Sequence, residues 1–255
     1  MKTTLAARLV IGAVTALSVF SFLWPFFISA EGSSQAATAQ TLFMLLMPSF
    51  IATVLTQYSS GNIDSRQLAM LGVLIALNSV VRLLGAGTAG IETAFFLIII
   101  GGFVFGSGFG FLLGSGSLLI SAVLSGGVGP WLPFQMMAAG LVGLGAGALP
   151  SLQRIRLQVW VLVPYAIVAS YAYGALMTAW NWPFLAGLGT TIGYAPGQGP
   201  LVNLGRFLTY EIVTGGLLWD TGRAVTTATL IALTGPTLLT TLKRAARRAG
   251  LETKF

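Results

Sequence analysis

The sequence contains no cysteine and no histidine. Disulfides, thiolate chemistry, zinc sites built on Cys or His, and His-ligated haem are thereby excluded. A serine–histidine dyad is excluded with them. Lysine is scarce, and its three copies (Lys2, Lys243 and Lys254) all lie near the ends of the chain. No Walker A loop can be built from them, so this chain does not hydrolyse ATP by itself. Charge is the scarcest property: 7% of the 255 residues are ionisable, against about 25% in soluble domains. A water-soluble globule could not cover its surface with so few charged groups. A cytosolic enzyme, a DNA-binding domain and a disordered tail are ruled out together.

What is present is apolar. Hydrophobic residues make up 55% of the chain, with a mean hydropathy of +0.87. Apolar runs cover 9–28, 41–57, 68–84, 93–105, 109–124, 132–149, 157–179 and 219–242. Runs near 20 residues match the thickness of a bilayer, whereas a β-barrel would show alternating segments of about ten. The fold class expected is all-α, a polytopic helical membrane protein with eight spans, the fourth of them short. The first run follows Lys2 and Arg8 and leads into Ile28-Ser29-Ala30, which is also compatible with a cleavable leader. Trp24-Pro25, before any cleavage site, favours a retained span.

The thirteen basic residues are unevenly placed. With both termini on the cytoplasmic side, ten fall inside and only Arg82, Arg206 and Arg223 fall outside, a strong positive-inside bias. Lys243–Arg248 (KRAARR) then reads as a membrane-surface helix end facing anionic lipid. The pI of about 10.3 therefore reflects topology and carries no nucleic-acid signal. Residues 180–206, rich in Gly and Pro, form a long outer connection suited to a lid or to a plain interfacial cover.

Small residues recur every four positions at Gly102, Gly106, Gly110 and Gly114, at Ala139, Gly143 and Gly147, and at Gly72 and Ala76. Such ridges let helix backbones approach closely in lipid. The first ridge crosses a turn at 106–108. Internal packing explains most of them; Gly72-xxx-Ala76 is the best candidate for a docking surface towards a partner subunit. Polar residues gather at the outer ends of the spans, with aromatics among them: Asn78, Arg82, Glu92, Gln135, Arg206, Glu211, Asp220 and Arg223, beside Trp131, Phe134 and Trp219. They describe a small-molecule site with a polar rim, or alternatively Arg82–Glu92 and Asp220–Arg223 pairs that only anchor helix ends. Catalytic residues are not expected. The only aspartates, Asp64 and Asp220, fall on opposite faces, and ionisable residues are almost absent from mid-span. No metal and no cofactor is expected.

From residue 67 onwards the chain resembles the substrate-binding S component of energy-coupling factor (ECF) vitamin transporters. The resemblance is carried by GVLIALNSVVRLLG (72–85), FFLIIIGGFVFGSGFGF (95–111), SGGVGPWLPFQM (125–136) and WDTGRA (219–224). It implies an N-terminal extension with two transmembrane helices (1–66), a six-helix core (67–242) and a basic cytoplasmic tail (243–255). It further implies capture of a vitamin from outside, docking through Gly72 and Ala76 onto a transmembrane coupling protein, and energy from two ATPase subunits. The resemblance carries substrate contacts onto Asn78, Arg82, Trp131, Gln135, Asp220 and Arg223; Glu92, Phe134, Arg206 and Trp219 complete the expected site. GPWLPFQM is most similar to the subgroup for cobalamin uptake. An S component for another vitamin, a self-sufficient permease and a membrane enzyme remain as alternatives; the enzyme lacks any nucleophile–base constellation.

Overall fold

A computed structural model describes residues 5–29, 65–85, 90–129, 131–150, 152–185 and 190–251, with Ala37 and Thr41. Apart from Thr41, the span expected over 41–57 lies outside the described residues. Among the described residues all regular structure is helical. The helices are α1 (Leu5–Phe22), α2 (Trp24–Phe27), α3 (Ser65–Gly85), α4 (Phe95–Phe105), α5 (Ser107–Ser125), α6 (Leu132–Ala148), α7 (Ile155–Leu185), α8 (Pro200–Val213) and α9 (Gly216–Arg248). In a bilayer every backbone polar group must be satisfied within the segment, which is why these apolar runs become helices.

Four of them, α3, α5, α7 and α9, are long and apolar enough to cross a membrane. The α6 helix has 17 residues and α4 only 11. At 1.5 Å per residue α4 reaches about half-way through a bilayer. Almost all of it is buried, so it is a central plug rather than a lipid-facing span. Gly106, at φ 98°, turns the chain between α4 and α5 in a conformation that residues with a side chain rarely adopt.

The tightest seam joins α4 and α5 to α6. A methyl group on Gly110 or Gly102 would collide with the Gly143 carbonyl, one on Gly114 with the Ala139 carbonyl, and one on Gly147 with the Ser107 backbone. The small-residue ridges on these three helices are therefore spent on internal packing. Polar side chains add hydrogen bonds between helices: Ser115 Oγ donates to the Met136 carbonyl at 3.0 Å and Tyr165 Oη to that of Val142 at 2.6 Å. Gly72 differs. Its helix face is exposed and a methyl group there would meet nothing within 4 Å.

The region read as an outer connection is more ordered than its composition suggests. After α7 ends at Leu185, residues 200–213 form α8, with Pro200 in its first turn. Asn203 staples the preceding loop, accepting from the Ala195 N–H at 2.9 Å and donating to the Ala195 carbonyl at 3.0 Å. Asn203, Phe207, Tyr210 and Glu211 face inward, whereas Leu201, Leu204, Leu208 and Ile212 face outward. At the opposite end of the molecule α9 continues unbroken through KRAARR, and Arg66 Nη1 donates to the Ala249 carbonyl at 2.8 Å.

Candidate functional site

The ends of α3 and α5, the starts of α4, α6 and α9, and the connections beside them enclose a cavity of about 360 Å³. Its walls carry Arg82, Glu92, Ser125, Trp131, Gln135, Trp219 and Arg223, with Gly90, Ile91, Ala122 and Gly127 between them. Gly90 permits the closure: it is held at φ 76°, and a methyl group there would overlap the Trp219 carbonyl.

Two guanidinium groups dominate the chemistry. Arg82 Nη1 donates to Ser121 Oγ at 3.0 Å, while its Nε lies 3.9 Å from Glu92 Oε1. Glu92 in turn accepts from the Ala94 N–H at 3.3 Å, at the start of α4, where a carboxylate suits the helix dipole. Arg223 pairs with Asp220 one turn earlier and donates to the Ser170 carbonyl at 3.3 Å. Its guanidinium carbon stands 5.0 Å from the centre of the Tyr173 ring and 5.8 Å from that of Phe95, within cation–π range. Both expected ion pairs therefore exist, and three of their four members, Arg82, Glu92 and Arg223, line the cavity. Arg82 Nε and Arg223 Nε are buried without a hydrogen-bond partner among the described residues. An unmet buried donor costs about 1–3 kcal/mol, so a ligand acceptor or a water placed there would recover it.

Seven of the ten residues expected at the site separate cleanly from the other three. Arg82, Glu92, Trp131, Gln135, Trp219 and Arg223 line the cavity, with Asp220 behind Arg223. Phe134 is buried and stacks on Trp180, ring centres 3.9 Å apart and planes at 1°. Asn78 sits one turn below Arg82, fully buried, with both amide atoms unpaired among the described residues. Arg206 serves the loop, donating to the carbonyls of Thr190 at 3.0 Å and Gly193 at 3.2 Å. It is not among the residues that line the cavity with Arg82 and Arg223.

Sequence reasoning overlooked Ser121 and Ser125, Tyr173, and above all Gly174. A methyl group on Gly174 would occupy the position of the Asp220 carboxylate. A glycine inside an aromatic run of α7 was the available signal. Glu211 on α8, outside the candidate spans, is also buried, and Gly216 leaves the room its carboxylate fills. Burial pushes that carboxyl above the usual carboxylate range, partly offset by a Thr178 hydrogen bond. No group of His, Cys, Asp and Glu side chains capable of holding a metal forms among the described residues.

A half-open aromatic and polar cavity at one end of a bundle of apolar helices belongs to a multi-pass membrane protein. Residues 66–242 match the family model described as ECF transporter, substrate-specific component. The chain belongs to this family, whose members are membrane-embedded substrate-binding subunits of importers and not enzymes. They act together with a coupling protein and ATPases on vitamin-type substrates. Neither a curated protein nor a solved structure matches the chain.

Proposed function

We propose that the cavity between Arg82, Glu92, Trp131, Gln135, Trp219 and Arg223 is where this subunit captures its vitamin from the outer side, with both termini cytoplasmic. The observation that carries the reading is the pair of half-buried arginines, each keeping a buried Nε–H without a partner among the described residues, in the wall of one space that also holds two tryptophans. Such a site takes a molecule with a flat apolar body and carbonyl or carboxylate oxygens at its edge. Asn78, beneath Arg82, offers a further donor and acceptor to a ligand that displaces the floor. Phe134 and Arg206 support the site from outside it, by packing and by holding the outer loop.

Cobalamin or a related corrinoid is the vitamin favoured by the GPWLPFQM stretch. A corrinoid is bulkier than 360 Å³, so it binds by its amide-bearing edge, with the remaining bulk in the mouth. The exposed Gly72 and Ala76 on α3 are the docking face for the coupling protein, since small residues there allow a partner helix close approach. Two ATPase subunits complete the importer.

The test is a titration of the purified chain in lipid nanodiscs against a vitamin panel that includes cobalamin and cobinamide. Submicromolar corrinoid binding is expected. Tight binding of a different vitamin overturns the corrinoid assignment and leaves capture intact. Binding of none overturns both. Uptake into proteoliposomes by this chain without ATPases would instead identify a self-sufficient permease.

A further inference from the structure

The matched family region begins at residue 66, yet α1 and α2 are packed behind the cavity wall, against Phe134 and Trp180. Trp24 is fully buried, and its Nε1 donates to the Trp180 carbonyl at 3.0 Å. The Trp180 ring is stacked on Phe134, and Phe22 packs edge-on against the same Phe134 ring at 5.5 Å. Tyr194 Oη closes the arrangement by donating to the Ile28 carbonyl at 2.6 Å. Phe26 extends it onto Phe207 of α8, ring centres 5.6 Å apart.

Phe134 is flanked by the two residues that matter for the ligand. Trp131 and Gln135 line the cavity, and the Gln135 N–H donates to the Trp131 carbonyl at 3.0 Å, so the three move as one turn. This is the first turn of α6. Among the described residues its backbone is tied to the preceding turn only by the Leu132 N–H, which donates to the Gly129 carbonyl at 3.0 Å, and Pro133 has no N–H to add, so side-chain packing carries much of its orientation. Phe134 is the buried anchor of that turn, and what grips Phe134 on its far side comes from α1 and α7.

We propose that Trp24 and Phe22 are positioning residues for the substrate: α1–α2 clamp the Trp180–Phe134 stack and thereby fix Trp131 and Gln135 in the cavity wall. The extension is then part of the binding unit. The inference rests on the cavity being the substrate site, and it has a ligand-independent readout.

Because the chain has no cysteine, a single Ala122→Cys reporter, at a buried position of the cavity wall, can be labelled with a maleimide against a silent background. Gln153→Cys, at the opposite end of the bundle, is the control. Trp24→Ala is expected to raise labelling at the reporter about fivefold, the equivalent of one lost buried hydrogen bond, with the control unchanged. Trp24→Phe keeps a ring and loses only the donor, so it shifts labelling in the same direction by less and survives folding if the alanine variant does not. In the reporter-free protein the same variants weaken binding of whichever panel vitamin the parent binds. Reporter labelling and affinity that stay at parental values in a folded Trp24→Phe or Trp24→Ala protein overturn the proposal. A shift in labelling with no vitamin bound by the parent supports the clamp and overturns the substrate reading alone.

Discussion

The two halves of α5 solve opposite problems. Near its start, Gly110 and Gly114 bring its backbone against α6 so closely that no methyl group fits. Near its end, Ser121, Ala122 and Ser125 stand back from α6, and arginine and tryptophan side chains fill the rim of a cavity. In lipid the helices gain nothing from hiding apolar surface, so contact at backbone distance supplies cohesion. That cohesion is concentrated in the glycine seam, which leaves the other end free to hold space and unmet donors. One region is specified by side chains that are missing, the other by side chains that are only half satisfied.

The contrast can be broken from either end, and the largest effect is expected at the cavity. Arg223→Ala strands the buried Asp220 carboxylate and should lower stability by about 3–5 kcal/mol, read as loss of a monodisperse folded species in detergent. Next comes the seam: Gly143→Ala should cost about 1–3 kcal/mol through backbone overlap that cannot relax, read as a lower Tm. Gly72→Ala, with open space around it, should hold or slightly raise Tm, the direction of alanine's better helix propensity, and so serves as its control. Gln135→Ala should weaken vitamin binding about fivefold without moving Tm, which would separate ligand contacts from packing. Glu211→Gln is expected to have the smallest effect. Because burial raises the carboxyl above its unfolded value, the native state favours the protonated form, and ionised Glu211 subtracts stability as pH rises through that window. The glutamine variant should therefore be the more stable near neutral pH, with the gain vanishing as pH falls into the ordinary carboxylate range.

The bundle was readable because hydropathy alone decides where helices must form in a bilayer. The short, buried α4 showed itself as a short run, and the glycine ridges on α4, α5 and α6 announced their seam. Asp220 and Arg223 were readable as neighbours because three residues apart is one helical face. Other features depend on tertiary contacts that no local pattern encodes. Phe134 looked like a rim aromatic, but its ring belongs to the Trp180 stack. Arg206 looked like a third outer arginine, but its donors are spent on Thr190 and Gly193 carbonyls. The α8 helix was hidden behind GYAPGQGP, whose turn residues outweigh the amphipathic pattern that follows. Gly174 and Asp220 fit together only because α7 and α9 pack side by side.

The most direct measurement of the central claim is the dissociation constant of the bound vitamin in the parent protein and in Trp131→Ala, compared in nanodiscs at matched Tm. Loss of an aromatic wall of the cavity should weaken binding about tenfold or more, equivalent to at least 1.4 kcal/mol. Equal affinities in the two proteins would contradict the account and move the substrate out of this cavity.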